Sequence, residues 1–285
     1  MKMNLPGMVL DAVSVAGLET CIQVPSWKLA FDIGRCPPAA PRWPTVLFTH
    51  AHLDHMGGVA NHCATRAMMG MSPPRYVMPA RNVEAFHDLL DAWRRLDGSE
   101  LPCEVVGVTP GDVVELGKGR RARVFQAYHR VPTVGYALVE TRQKLREDLH
   151  GLPGKEIAEA RARGERVTRS VERVELAFCG DTLIDVVERE AAVRTARVLV
   201  LEVTFLDERV SVEATRSKGH IHLDEVIERA DLFENEVIVI SHASIRYRPD
   251  ELRAICAQRL PDGLRDRVIP MVPGPPWARN QTSVM

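Results

Sequence analysis

The chain lacks a strong charge imbalance, a paired-cysteine spacing and a long hydrophobic run, and each absence narrows what it can be. Its 37 Lys and Arg residues against 38 Asp and Glu leave a formal net charge of -1, so composition alone does not advertise a nucleic-acid surface. The one dense basic cluster, KGRRAR at residues 118–123, has the plain reading of a solvated hairpin end. Six cysteines (Cys21, Cys36, Cys63, Cys103, Cys179 and Cys256) lie far apart with no Cys-x-x-Cys pair. That argues against a disulfide frame or a zinc knuckle and for reduced, mostly buried thiols. The longest apolar stretch, ARVLVLEVTFL, is too short to span a bilayer and carries Glu202. The opening MKMNLPGMVLDAV has a proline and an aspartate where a signal peptide needs an unbroken apolar core. These readings predict a cytoplasmic protein with no membrane partner.

What is present is an ordinary globular composition, 45% hydrophobic over 285 residues, enough for one large domain or two small ones. Short β-like runs recur: TCIQV, LAFDIG, TVLFTH, RYVMPA, CEVVGV, ARVFQAYH, GYALVET, VELAFCGD, RVLVLEV, EVIVISH and RVIPMV. Helical spacing appears over ARNVEAFHDLLDAWRRLD, where Val83, Phe86, Leu89, Leu90 and Trp93 share a face, and over 184–195, 222–233 and 249–260. Pro249, Asp250 and Glu251 suit a helix start. Strands dominate early and alternate with helices later. The predicted class is α/β: two sheets face to face with helices outside, in one domain over 1–285. The segment 144–173 is the least core-like and is predicted to be a surface insertion.

The chemistry concentrates in TVLFTHAHLDHMGG, residues 45–58, where three of the ten histidines and an aspartate fall within six positions at the end of an apolar strand. In extended backbone, residues two apart point the same way, so His50 and His52 converge on one metal. Asp54 and His55 follow as the chain turns, and a second metal beside the first would use them. Gly57 and Gly58 let the backbone pass close to the site before a helix begins. Four more histidines lie in short stretches elsewhere: His129 in AYHRVPTVGY, His220 and His222 in KGHIHLDE, and His242 in VISHASIRY. His129 and His242 each close a β-like run, as does Asp181 in LAFCGDT, which favours ligands over incidental surface residues. His62, His87 and His150 have no such setting and read as surface or packing residues.

HAHLDH is the H-x-H-x-D-H signature of the metallo-β-lactamase fold, an αββα four-layer sandwich. Followed in order by His129, GDT, EVTF, GHIH and SHASIRY, it resembles the ribonuclease Z family of tRNA 3′-processing endonucleases over nearly the whole chain. PSWKLAFDIGRCP, GLPGKEI, LEVTFLDERVSVE and KGHIHLDEVIERADLFEN resemble its short, plant-type branch. The resemblance implies two Zn²⁺ ions, with Mn²⁺ or Fe²⁺ as other occupants. His50, His52 and His129 would hold one; Asp54, His55 and His242 would hold the other; Asp181 would bridge them. It implies that Asp54 is catalytic as well as ligating, and that His220 is a general acid charged or oriented by Glu202, with His222 the lesser candidate beside a helix start. Thr133 stands where the family has a serine before Gly135 and Tyr136.

Thr133, Tyr136, Arg246 and Tyr247 are candidate substrate contacts, although a tyrosine in the place of Tyr136 is more often a packing residue and Arg246 and Tyr247 could equally brace the metal loop. The family's protruding arm corresponds at most to the short stretch carrying Lys155, Arg161, Arg163, Arg166 and Arg169. The resemblance further implies precursor tRNA as partner and a homodimer. A hydrolase of small phosphodiesters on the same core is the alternative enzyme, and a metal-stabilised scaffold the non-enzymatic one.

Overall fold

In a computed structural model describing residues 1–272, two seven-stranded sheets stack face to face. The end of the expected single domain, 273–285, lies outside the described residues. The first sheet holds, in spatial order, β1 (Lys2–Leu5), β2 (Met8–Val15), β3 (Glu19–Val24), β4 (Leu29–Phe31), β5 (Thr45–Leu47), β6 (Arg75–Pro79) and β7 (Glu104–Val108). Pairing is antiparallel from β1 to β4 and parallel from β4 to β7. The second sheet holds β8 (Val113–Gly117), β9 (Arg120–Gln126), β10 (Val134–Leu145), β11 (Thr168–Phe178), β12 (Val198–Glu202), β13 (Val237–Ser241) and β14 (Val268–Pro270). It repeats the plan, antiparallel to β11 and parallel beyond.

Alternation along each strand sorts side chains into layers. In β12, Val198 and Val200 enter the core between the sheets, while Leu199 and Leu201 face the outer helices. In β6, Val77 faces inward, and Tyr76 and Met78 pack outward. Both faces of these parallel strands are covered, which is why they read as continuous apolar runs.

Outside the first sheet lie α1 (Leu53–Met56), α2 (Val59–Met68) and α3 (Val83–Asp97). Phe86 and Leu90 of α3 join Phe48 and Tyr76 in the core there. After α4 (Gly154–Ala162), the helices alternate with the last strands of the second sheet: α5 (Asp185–Arg189) and α6 (Ala191–Thr195) before β12, α7 (Val212–Ser217) and α8 (Leu223–Glu228) before β13, and α9 (Pro249–Arg259) and α10 (Asp262–Arg265) before β14. The helix expected over 222–233 stops at Glu228, and that over 184–195 is two short pieces. The four-layer α/β sandwich is therefore as expected.

The segment 144–173 differs from its expected form. β10 and β11 stay paired out to Leu145↔Thr168, with one register shift between Leu138 and Val139, so the sheet itself projects and only residues 146–167 cap it, with α4 among them. The basic cluster at 118–123 is the β8–β9 turn and the start of β9. Its Arg120 pairs with Glu140 at 2.9 Å, and Arg121 and Arg123 both reach Glu172.

Candidate metal centre

The parallel strands β4–β7 and β11–β14 end on one side, and the site residues sit just past those ends, where open α/β sheets bind ligands. β5 runs through Phe48 and Thr49 into His50. His52 is still extended (φ -64°, ψ 149°) and opens α1, which carries Asp54 and His55. The turn is seated on the chain after β4: Ile33 N–H donates to His55 O at 2.7 Å, and Gly58 N–H to Ile33 O at 2.9 Å. A Cβ at Gly58 would come within 2.5 Å of Cys36 N, so this packing requires glycine.

Eight side chains then meet as three overlapping groups, His50–His52–His129–Asp181, Asp54–His55–His242 and Asp181–His220–His242. In the first, His50 Nε2 lies 3.0 Å from His52 Nδ1 and 3.7 Å from Asp181 Oδ2. In the second, His55 Nε2 lies 3.8 Å from Asp54 Oδ2, and His242 Nε2 lies 3.4 Å from it. Asp181 turns its other oxygen, Oδ1, to this second group, 3.2 Å from His55 Nε2 and 3.4 Å from His242 Nε2. Donors bound at about 2.0–2.2 Å around a tetrahedral ion stand about 3.3–3.6 Å apart, and the observed spacings of 3.0 to 3.8 Å bracket that range.

Four of the five rings have their other nitrogen occupied. His50 Nδ1 meets Thr49 Oγ1 at 3.0 Å, His55 Nδ1 meets Asp32 Oδ2 at 2.8 Å, His129 Nδ1 meets Gly219 O at 2.8 Å and His242 Nδ1 meets Thr204 Oγ1 at 3.0 Å. Such partners fix ring orientation and leave the opposite nitrogen for a metal. Three buried atoms aimed into the site, His55 Nε2, His129 Nε2 and Asp181 Oδ1, have no hydrogen-bond partner. An orphaned buried polar atom costs about 1–3 kcal/mol. Three in one spot, all of ligand type, fit a divalent metal.

The charges agree with that fit. Burial presses the His50 ring well below its ordinary pKa and the neighbouring His55 adds to this, so His50 is neutral. Burial opposes charge on Asp181, yet His242 and His55 outweigh it and hold the carboxyl well below its ordinary pKa. His55 goes the other way: burial lowers it, but the Asp181 and Asp32 carboxylates raise it more. Two buried carboxylates, Asp181 and Asp32, thus favour positive charge at this spot, which a bound cation would supply.

Alongside stands His220, whose ring stacks on His242 at 5.3 Å between centroids. Its Nδ1 lies 2.9 Å from Glu202 Oε1. Glu202 is buried and also accepts from Thr182 N–H, Thr204 Oγ1 and Ile221 N–H, so it is a held carboxylate rather than a loop cap. Burial opposes charging His220, but Glu202 outweighs it and raises the pKa.

A family model described as a Beta-lactamase superfamily domain matches residues 25–243. tRNase Z TRZ1 of Arabidopsis thaliana is 39% identical over 275 residues, 95% of this chain and 98% of that protein. The chain belongs to the tRNase Z family. It is a metal-dependent hydrolase of the ribonuclease Z type. A second Arabidopsis relative, chloroplastic tRNase Z TRZ2, is 34% identical over 95% of this chain and 77% of its own length. Among solved structures, the short form of human tRNase Z overlays with a TM-score of 0.59 at 16% identity, covering 92% of this chain and 96% of that one. The Bacillus subtilis metallo-β-lactamase fold protein YhfI overlays at 0.61 with 12% identity, covering 90% and 92%. At those identities the overlays speak for the fold alone.

Two of the predicted substrate contacts are corrected. Tyr136 is fully buried and donates its hydroxyl to Phe48 O at 2.8 Å, so it packs the core and cannot touch substrate. Tyr247 is also buried; its hydroxyl accepts from Leu206 N–H at 2.8 Å and reaches Asp207 at 3.2 Å, bracing the metal loop. Arg246 is exposed beside His242. Thr133 lines a groove of about 480 Å³ that opens at His129 and includes Arg81, Gln126 and Arg130.

His222 caps α8 through Asp224 N–H and is not part of the cluster. His62 is buried against Tyr76, and His87 and His150 are exposed. Sequence reasoning missed Asp32, Thr49 and Thr204. Asp32 had the same signal as Asp181, an aspartate closing an apolar strand, in LAFDIG. Its left-handed φ of 53° adds a strained non-glycine residue at the site, as does His242 at 58°.

Proposed function

We propose that this chain is a dinuclear-zinc ribonuclease Z that removes the 3′ trailer from precursor tRNA. The observation that carries the reading is the joint arrangement of two ligand groups sharing Asp181, with the His220–Glu202 pair beside them. His50, His52 and His129 would hold one ion and Asp54, His55 and His242 the other, with Asp181 reaching both. Bound there, two divalent ions would supply charge neutralisation at a phosphate and a water acidic enough to attack near neutral pH. The imidazole and carboxylate donors suit Zn²⁺, with Mn²⁺ or Fe²⁺ as other occupants.

The chain's own residues do the rest. Gly17 N–H donates to Asp54 Oδ2 at 2.8 Å and keeps that carboxylate turned into the site. Glu202 engages His220 Nδ1 and favours the charged ring, so Nε2 carries the proton for the departing ribose 3′-oxygen. Arg81 and Arg130 in the groove, with Arg246 beside the metal loop, would meet RNA phosphates; positive charge gathered there offsets a near-neutral chain. On the projecting hairpin, Arg163 and Arg169 are paired with Glu165 and Glu147, which weakens it as an RNA clamp.

The same reading takes the protein as a single-domain homodimer in the cytoplasm. Six unpaired cysteines support a reducing compartment, and no described helix is long and apolar enough to cross a membrane. Light scattering checks the dimer.

Incubating metal-loaded protein with a 3′-extended precursor tRNA and, separately, with a small aryl phosphodiester tests the substrate. Trailer release at the discriminator end is the expected result. Rapid turnover of the small ester with an intact precursor would transfer the assignment to a small-phosphodiester hydrolase, the reading that a net charge of -1 favours.

A further inference from the structure

Away from the metal centre, the α2–α3 corner holds a pair of thiols that the proposed reaction does not use. Cys63 is fully buried on α2, and its sulfur lies 3.2 Å from Pro102 O. The next residue, Cys103, is only partly covered and touches the same core cluster. That Pro102 carbonyl belongs to the residue before Cys103, so the two thiols are neighbours, one sealed in the core and one partly open to solvent. The contact with Cys103, reinforced by burial, keeps Cys63 protonated. Accepting from Cys63 pulls Cys103 below an ordinary thiol despite its own partial burial, and the Arg94 guanidinium adds to this. Arg94 is fixed there: its Nε donates to Glu100 O at 2.8 Å and its terminal nitrogen to Leu101 O at 3.1 Å. The segment it grips contains Leu101 at φ 41°, a left-handed non-glycine residue held by its surroundings.

We propose that Cys103 and Cys63 form a reversible oxidation site, with Cys103 the thiol that reacts with hydroperoxides and Cys63 the thiol that resolves it. An accessible thiol with thiolate character beside a second cysteine is the arrangement that oxidises selectively. The Cys103 thiolate attacks one peroxide oxygen, the O–O bond breaks, and the departing oxygen takes a proton to leave as water or alcohol. Cys103 is then a sulfenic acid. The Cys63 sulfur attacks it, an S–S bond forms as the S–OH bond breaks, and the hydroxide leaves as water with the Cys63 proton. Two thiols have lost two electrons to one peroxide. The bond would tie α2, which begins at the residue after the metal-loop glycines, to the start of β7.

Peptide mapping of the full-length, metal-loaded protein after hydrogen peroxide at near-equimolar dose tests this. The expected product is a cross-link joining the peptides of Cys63 and Cys103, lighter by two hydrogens and cleaved by dithiothreitol. Cys103→Ser, at a partly exposed position, leaves Cys63 alkylatable after denaturation, and Cys63→Ala leaves a Cys103 sulfenic acid that dimedone captures. The proposal fails if peroxide leaves both thiols free, if oxidation begins at another cysteine, or if Cys103 overoxidises in the wild-type chain without cross-linking.

Discussion

The two sheets follow one strand plan yet deliver their chemistry differently. The first, β1–β7, sends His50, His52, Asp54 and His55 from a single turn after β5, seated on the backbone at Ile33 and Gly58. The second, β8–β14, contributes one residue at a time: His129 between β9 and β10, Asp181 after β11, Glu202 at the end of β12 and His242 after β13. The first half is therefore a compact ligand cassette. The second half supplies Asp181, which faces both groups, from a strand end, and Glu202 at another, with His220 reaching Glu202 from the loop between α7 and α8. Neither half holds either ligand group complete, because the first needs His129 and Asp181 and the second needs His242.

The comparison is broken most severely at Asp181. Asp181→Ala removes the side chain that faces both groups, and metal content and precursor cleavage should both fall to background, read by elemental analysis beside a cleavage assay. Retention of two ions in that variant would mean that the two ligand groups hold their ions without the shared carboxylate.

His220→Ala separates chemistry from assembly. Turnover should drop about 10²–10⁴-fold, the usual worth of a general acid, with metal content and KM nearly unchanged. An unaltered rate would remove His220 from the acid role.

Asp32→Asn tests the support of the first-half cassette. The buried carboxylate that orients His55 also accepts from Thr49 N–H at 2.8 Å. Metal affinity should fall about 10–100-fold, measured by competition with a chelator, while His220-dependent chemistry of the fully loaded enzyme persists.

The remaining effect concerns stability and leaves the metal centre untouched. His62 lies in the helix layer over the first sheet, where burial, aided by Arg66, pushes it down to about 4. Below pH 6.5 the unfolded chain binds a proton that the folded chain refuses. Stability is therefore full above that pH and declines towards pH 4, by about 3 kcal/mol from this group. His62→Gln should flatten that decline in urea unfolding run at pH 7 and pH 4.5; an unchanged slope would contradict it.

The same contrast governs how much of the molecule is legible in its sequence. Strands covered on both faces announce themselves, so β3–β6, β12 and β13 read as apolar runs. β2 does not, because Asp11 and Ser14 interrupt it, and the outer parts of β10 and β11 resemble an insertion because they project past the sandwich with both faces wet. The first-half cassette is legible because its ligands share six residues. His129, Asp181 and His242 are scattered, and their grouping is legible only through the family resemblance. Asp32, Thr49 and Thr204 escape because they act through other side chains. Tyr136 and Tyr247 mislead because a motif position says nothing about which way a ring points.

Anomalous diffraction at the zinc edge from crystals of metal-loaded protein tests the central claim most directly. Two peaks about 3.5–4 Å apart, one among His50, His52 and His129 and one among Asp54, His55 and His242, with an Asp181 oxygen on each, are the predicted result. A single peak, or density held by residues of one half alone, would contradict it.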